Sequence, residues 1–311
     1  MMRSSDNGHH WSWPQVLLDG PIDDRDAGVC VTETGTILVT TFSSLAYEGI
    51  LEKAARLPQE TQEAWPSSKL FSWNAVHARI SDERRTKELG VWMIRSENGG
   101  TDWSGRYRVP VNSPHGPVCL SDGSLLYAGV ALWSEERRVG VCRSTDDGQS
   151  WQWLADMPVR PGDSSLHYHE LHAVEASDGR LVVQLRNHNA TNKSETLQSE
   201  SIDRGHTWSQ PHSIDVWGLP SHLVRLRDDR LLMTYGHRRS PFGIQARLSN
   251  DCGKTWSDPM ILYGDGASGD LGYPSTVQLD GKMMVTVWYE LPRKSSHAVL
   301  RQARWTLSQK E

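Results

Sequence analysis

The sequence predicts an all-β chain built from repeated four-stranded antiparallel units, and three observations carry that expectation. First, one octapeptide recurs. Ser249-Asn250-Asp251-Cys252-Gly253-Lys254-Thr255-Trp256 reads S-x-D-x-G-x-T-W, and residues 201–208 fit every fixed position. Residues 144–151 carry Ser150 in place of Thr, and residues 96–103 are degenerate, with Asn98 for Asp and Asp102 for Thr. Second, the serines that open these boxes, Ser96, Ser144, Ser201 and Ser249, recur about every 50 residues, the mark of stacked or radially arranged units. Third, short aliphatic and β-branched runs around an Asp-Gly type of turn interleave with the boxes.

Each box has a local physical reading. The Asp carboxylate accepts from backbone N–H groups ahead of it, and the Gly supplies a position with φ > 0. The Ser and Thr hydroxyls tie the turn from either side, and the Trp pins it to the apolar layer beneath. The box is therefore structural, and no chemistry is assigned to it.

Taken in order, the turn-centred hairpins lie at residues 28–39, 117–127, 172–183, 223–233 and 276–285. In three units the box follows the turn by about 20 residues, room for two more strands. Hairpin plus box hairpin makes a four-stranded antiparallel blade, and radial repetition of blades makes a β-propeller. Five units are countable. The first is stretched by an insertion at about 43–90, in which residues 51–57 look helical before Pro58 and Pro66 interrupt. It reads as a lid over one face. The last unit lacks a box and ends in residues 300–307, a strand expected to pair with the N-terminal residues and close the ring. No linker-like stretch occurs, so residues 1–311 are expected to form one domain.

Composition narrows the function classes. A net charge of −5 gives no argument for nucleic acid or an anionic membrane as partner, and no apolar run reaches membrane length. The four cysteines (Cys30, Cys119, Cys142, Cys252) are scattered without a C-x-x-C pair, so buried free thiols are expected rather than a disulfide framework or a zinc site. The N-terminus lacks an apolar signal region, which suggests a cytoplasmic location, or a secreted protein whose signal has been removed. Fourteen Trp stand against three Phe. Four Trp belong to boxes, and others are candidates to stack on sugar faces.

Repeated S-x-D-x-G-x-T-W boxes on a propeller resemble the Asp-boxes of the sialidase (neuraminidase) superfamily. The resemblance implies a six-bladed propeller, although five hairpin units are countable. It also implies an exo-glycosidase that removes a terminal sialic or related acidic sugar with retention, without cofactor or metal. In that family three arginines hold the sugar carboxylate, a Tyr activated by a Glu attacks the anomeric carbon, and an Asp is the acid/base. By the resemblance, Arg25 ahead of the first turn matches the first Arg, and Glu170 followed by the hairpin to Arg186 matches the Glu and second Arg. Arg238 or Arg239, ahead of the last box, matches the third. Tyr273 in Gly272-Tyr273-Pro274-Ser275 matches the nucleophile, and Glu290 the carboxylate that braces Arg25. Two departures stand out. Arg25 sits in Arg25-Asp26-Ala27 where the family has R-I-P, and residues 40–45 carry no matching Asp motif. Asp82 stands in as acid/base, with Asp24 and Asp26 as alternatives.

Chemistry supports these residue types. Arginine's planar fork donates two parallel hydrogen bonds and keeps its charge, which suits a substrate carboxylate. A neutral Tyr is the sensible nucleophile for a carbon that already bears a carboxylate, because an anionic Asp or Glu would be repelled. Glu170 would accept the phenolic proton. Histidines are a second signal. His167-Tyr168-His169-Glu170-Leu171-His172 alternates its histidines across two strand faces, which argues against metal. His115 and His222 open strands in equivalent places, so His115, His169, His222 and Tyr273 are expected to face one central pocket with Arg25 and Arg186. Such a mouth would suit a glycosidase or lyase acting on uronic-acid sugars with His115 or His169 as proton donor or base. A non-catalytic glycan-binding propeller is the third reading. Oligomeric state is open.

Overall fold

The computed structural model describes residues 1–307 except 59, 62, 191 and 192, so Gln59 and Gln62 of the expected insertion lie outside the described residues. Strands follow the hairpin and box signals closely. The first sheet holds β1 (Asp23–Val31) and β2 (Ile37–Ser44). Three helices follow, α1 (Ala46–Arg56), α2 (Ser67–His77) and α3 (Asp82–Lys87), before β3 (Val91–Ser96) and β4 (Tyr107–Arg108) return to the same sheet. Residues 51–57, read as helical, fall largely within α1. The second sheet holds β5 (Val118–Cys119), β6 (Leu125–Val130), β7 (Val139–Ser144) and β8 (Gln152–Asp156), and the third β9 (Tyr168–Glu175), β10 (Leu181–Asn187), β11 (Thr196–Ser201) and β12 (His212–Ser213). The fourth has β13 (Ser221–Arg225), β14 (Leu231–His237), β15 (Gly243–Ser249) and β16 (Met260–Tyr263). The fifth has β17 (Leu271–Gln278), β18 (Met283–Glu290) and β19 (Val299–Thr306).

Every sheet is an antiparallel meander in chain order, the blade of a β-propeller. The expectation of six blades is corrected. The described residues form five sheets, four of them four-stranded and the last three-stranded.

Apolar cores sit between neighbouring sheets. Leu126, Val141, Leu171 and Val183 pack sheets two and three together, while Val182, Leu223 and Met233 join sheets three and four. All are nearly inaccessible to water, and each fully buried aliphatic side chain contributes roughly 1.5–3 kcal/mol. All four cysteines are free; Cys30 and Cys142 are buried, whereas Cys119 and Cys252 are only partly so, against the expectation of buried thiols.

The boxes have the geometry their residues dictate. Ser249 Oγ donates to Asp251 Oδ1 (2.7 Å), which accepts from Thr255 N–H (2.9 Å), while Gly253 N–H donates to Ser249 Oγ (2.8 Å). Gly253 has φ +84°, and a Cβ there would meet Val182 Cγ2 at 2.9 Å, so the turn needs glycine on two counts.

The structure also holds a box that the sequence comparison passed over. Ser4-Ser5-Asp6-Asn7-Gly8-His9-His10-Trp11 makes the same bonds: Ser4 Oγ to Asp6 Oδ1 (2.8 Å), Gly8 N–H to Ser4 Oγ (2.8 Å) and His10 N–H to Asp6 Oδ1 (2.9 Å). His10 replaces the Thr, which hid it. Gln302 on β19 donates to Gly8 O (2.8 Å) and accepts from Trp11 Nε1 (3.0 Å). Gln198 on β11 does the same for Gly253 O (2.7 Å) and Trp256 Nε1 (2.9 Å). The N-terminal segment thus docks on β19 as the fourth sheet's box docks on the third. The expected strand pairing between the chain ends is not formed among the described residues: β19 pairs only with β18, and the N-terminal segment meets it through the side chains of Gln302 and Arg304 instead.

Candidate active site

Three inner strands carry the same irregularity. The β1–β2 register shifts between Arg25 and Gly28, β9–β10 shifts at Glu170, and β17–β18 shifts between Gly272 and Ser275. At each bulge a non-glycine residue takes positive φ: Asp26 (48°), Glu170 (27°) and Tyr273 (53°). Bulges re-aim side chains, and left-handed non-glycine residues cost of order 1–3 kcal/mol each and cluster at functional sites. The three side chains they re-aim are near one another.

Tyr273 OH donates to Glu170 Oε1 (2.7 Å), and Arg186 Nη1 donates to Glu170 Oε1 (2.9 Å) and to Tyr273 OH (3.1 Å). Arg186 comes from the end of β10, directly opposite His169 in the register. The guanidinium of Arg238, just beyond β14, lies 5.3 Å from the centre of the Tyr273 ring and donates to Tyr289 OH (3.3 Å). Tyr289 OH in turn donates to Asp270 (2.9 Å). Glu170 Oε2, Arg186 Nε and Arg238 Nε are buried without a hydrogen-bond partner. Buried polar atoms are nearly always paired, so three orphans in one place mark a site rather than a core.

Electrostatics separate the roles. Burial, together with the Glu170 and Asp26 charges, pushes the Tyr273 hydroxyl well above its ordinary value, so it rests as a neutral phenol. Burial and the Glu170 charge raise the Asp26 carboxyl to about 6, against an ordinary 3.8. Desolvation beside a like charge keeps a carboxylic acid protonated near neutrality.

The remaining candidates divide. Arg25 is half-exposed and donates from Nε to Asp23 (2.5 Å), with its charge felt by Asp26. Arg239 lies over the Trp217 ring (5.1 Å) rather than over Tyr273. Glu290 does not brace Arg25. It is buried, accepts from Tyr263 OH (3.1 Å) and pairs with Arg301 Nε (3.2 Å), because the β18–β19 pairing sets residues 290 and 301 near each other. Asp82 is not placed with Tyr273. It sits at the start of α3, almost fully exposed, and pairs with Arg85 within the same helix.

The histidines do not form one mouth. His115, His172 and His222 cluster, with ring centres 4.5–5.0 Å apart: His172 and His222 are stacked, and His115 meets both edge-on. His172 Nδ1 accepts from Leu223 N–H (2.8 Å). Burial holds His115 and His172 far below their ordinary value and brings His222 to about 4, so all three are neutral. His169 lies apart, beside His188 (4.8 Å) and Arg137 (3.4 Å), and burial brings it to about 4. Among the described residues no group of three or more His, Cys, Asp or Glu is disposed to hold a metal ion. Sequence reasoning missed Tyr289 and Asp270, which reach the site through the Arg238–Tyr289–Asp270 hydrogen bonds between distant segments and carry no local pattern that singles them out.

A family model described as a BNR repeat-like domain matches residues 36–285. No curated protein matches the chain. Among solved structures, a Dyadobacter fermentans protein of unknown function is 22% identical with TM-score 0.74, over 97% of this chain and 82% of that one. The Hadza microbial sialidase Hz136 is 20% identical with TM-score 0.63, over 97% of this chain and 58% of that one. The NanB sialidase of Streptococcus pneumoniae is 13% identical with TM-score 0.64, over 98% and 63%. This chain spans less than two thirds of either sialidase, and the likeness is one of fold.

Proposed function

The chain belongs to the BNR repeat-like domain family, and we propose that it is a retaining exo-glycosidase of sialidase type acting on a terminal sialic or related acidic sugar. One observation carries the reading: a neutral tyrosine hydroxyl 2.7 Å from a carboxylate, with an arginine shared between them. Arg186 and Arg238, with Arg25 at the rim, receive the sugar carboxylate. In the first step the Tyr273 oxygen forms a bond to the anomeric carbon as the bond to the leaving oxygen breaks. Glu170 takes the phenolic proton, since Tyr273 is held neutral and cannot attack as a resting phenolate. Asp26 gives its proton to the leaving oxygen. In the second step a water attacks the same carbon and loses its proton to Asp26, while Tyr273 departs and recovers its proton from Glu170. Two inversions give net retention.

Asp26 therefore takes the acid/base role for which Asp82 was a stand-in. The uronate lyase or glycosidase reading with His115 or His169 is less favoured, because burial holds both imidazoles well below their ordinary value and neither is hydrogen-bonded to Tyr273 or Glu170 among the described residues. The test is Tyr273→Phe. Release of the aryl group from an aryl sialoside should fall at least 1,000-fold, about 4 kcal/mol of transition-state stabilisation. A native protein that releases nothing from any acidic-sugar substrate refutes the proposal.

A further inference from the structure

We propose that Cys30 and Cys119 are a dithiol that closes to a reversible disulfide between the first and second sheets, with hydrogen peroxide as the oxidant. Cys30 lies on β1 and Cys119 on β5, 89 positions apart in the chain, yet their Sγ atoms are 3.8 Å apart. No step of this chemistry uses the glycosidase activity.

The fold presses the two strands together at this point. A Cβ on Gly28 would collide with the backbone of Gly116, so β1 and the segment entering β5 are in backbone contact just ahead of the two cysteines. Cys119 Sγ donates to Val31 O on β1 (3.3 Å), which leaves the Cys30 S–H to donate to Cys119 Sγ. A disulfide needs its sulfurs about 2.05 Å apart. The backbones cannot come nearer, so rotation about the two Cα–Cβ bonds supplies the remaining approach.

Access sets the order of reaction. Cys119 is partly exposed and lines a cavity of about 340 Å³, whereas Cys30 is buried behind it. Glu175 and Arg225 share that lining, and they end β9 and β13 as Cys119 ends β5. Glu170 lies near the start of β9, so the cavity opens at the other end of the inner strands from the Tyr273 site. Cys30 is four residues, roughly 13 Å of strand, beyond Asp26. A small oxidant entering this mouth meets Cys119 first. The S–H donated by Cys30 lowers the Cys119 thiol from its ordinary value, against the opposing effects of burial and the Glu33 charge. The same bond and burial raise Cys30. Cys119 is therefore the nucleophile and Cys30 the resolving thiol.

The chemistry balances in two steps. The Cys119 thiolate attacks one peroxide oxygen, an S–O bond forms as the O–O bond breaks, and the hydroxide that leaves takes up the proton Cys119 lost. Cys119 is then a sulfenic acid. The Cys30 sulfur attacks the Cys119 sulfur, the S–S bond forms as the S–O bond breaks, and the departing hydroxide carries off the Cys30 proton as water. Two thiols are oxidised, one peroxide is reduced by two electrons, and two waters leave. The link spans a long stretch of chain, so it restricts the unfolded state and ties the first sheet to the second.

The experiment treats the full, pre-reduced chain with hydrogen peroxide at neutral pH, alkylates the remaining thiols and maps peptides without reduction. A linked Cys30–Cys119 peptide pair should appear, lighter by two hydrogens than its free parts, and dithiothreitol should reverse it. Cys142 and the partly exposed Cys252 should remain as alkylated thiols. Cys119→Ser should slow loss of the Cys30 thiol about tenfold or more. Cys30→Ala should leave Cys119 as a sulfenic acid that dimedone captures. Oxidised native protein should melt several degrees above reduced protein, and Cys119→Ser should show no such gain. A link to Cys142 or Cys252, or a Cys30–Cys119 link that forms no faster in the native protein than in urea, overturns the poised pair. Dimedone capture at Cys119 in native protein with no linked peptide overturns it as well. An unchanged Tm on oxidation overturns the tie between the sheets.

Discussion

Replacing Asp26 by Asn should stabilise the protein and disable it at once, and the sign depends on pH. The Asp26 carboxyl is raised from 3.8 to about 6 in the folded protein, chiefly by burial and then by the Glu170 charge. A folded value above the unfolded one means that folding favours the neutral form. The contribution is complete below about 3.8 and is lost as pH rises through about 6. The difference of about 2 units corresponds to roughly 3 kcal/mol at pH 8, an upper figure because the half-buried group is partly screened by water. Asn carries no charge to desolvate, so Asp26→Asn should match the native protein in stability at pH 4 and exceed it at pH 8. Thermal unfolding across that range would show a Tm gain of several degrees at pH 8 and almost none at pH 4. Activity should move the other way, with the basic limb near pH 6 absent from the variant's residual kcat/KM profile. A Tm difference independent of pH would refute the raised carboxyl, and with it Asp26 as the acid.

Other outcomes follow from the same geometry. Arg186→Lys keeps the charge but cannot share a planar fork between Glu170 and Tyr273, so kcat/KM for an acidic sugar should fall about 100-fold while thermal stability changes little. Asp251→Ala removes the acceptor for Ser249 and Thr255 and should cost about 1–2 kcal/mol in denaturant unfolding, with kcat/KM kept within twofold. The reverse order would overturn the structural role of the box. Gln302→Ala removes the bonds to Gly8 and Trp11, so amide exchange at Gly8 should quicken and limited proteolysis should reach the N-terminal box first.

Local chemistry was readable wherever a residue's role is set by its own neighbours in the chain. The box at residues 249–256 declares its turn, because Ser, Asp, Gly and Thr satisfy one another within eight residues. The same bonds at residues 4–11 could have been read from Ser4, Asp6, Gly8 and Trp11 had His10 been allowed for Thr. The Glu170–Arg186 pair was named from the resemblance, whose Glu-to-Arg hairpin pattern residues 170–186 match. Glu290 misled because its partner, Arg301, comes from the next strand and is chosen by sheet register. The choice between Arg238 and Arg239 depended on which side chain the end of β14 aims at Tyr273, which adjacent positions in a sequence do not disclose.

The sequence by itself determined the repeat and the hairpins, because periodicity and turn chemistry act over short stretches. Tertiary structure decided the rest. It set the number of sheets at five among the described residues, drew His115, His172 and His222 into one neutral cluster, and brought Asp26 rather than Asp82 within reach of the Glu170 charge. The physical reason is common to all three. Burial, charge proximity and strand bulges depend on which distant segments meet, and a carboxyl becomes an acid near neutral pH only when another chain segment removes its water and sets a second carboxylate beside it.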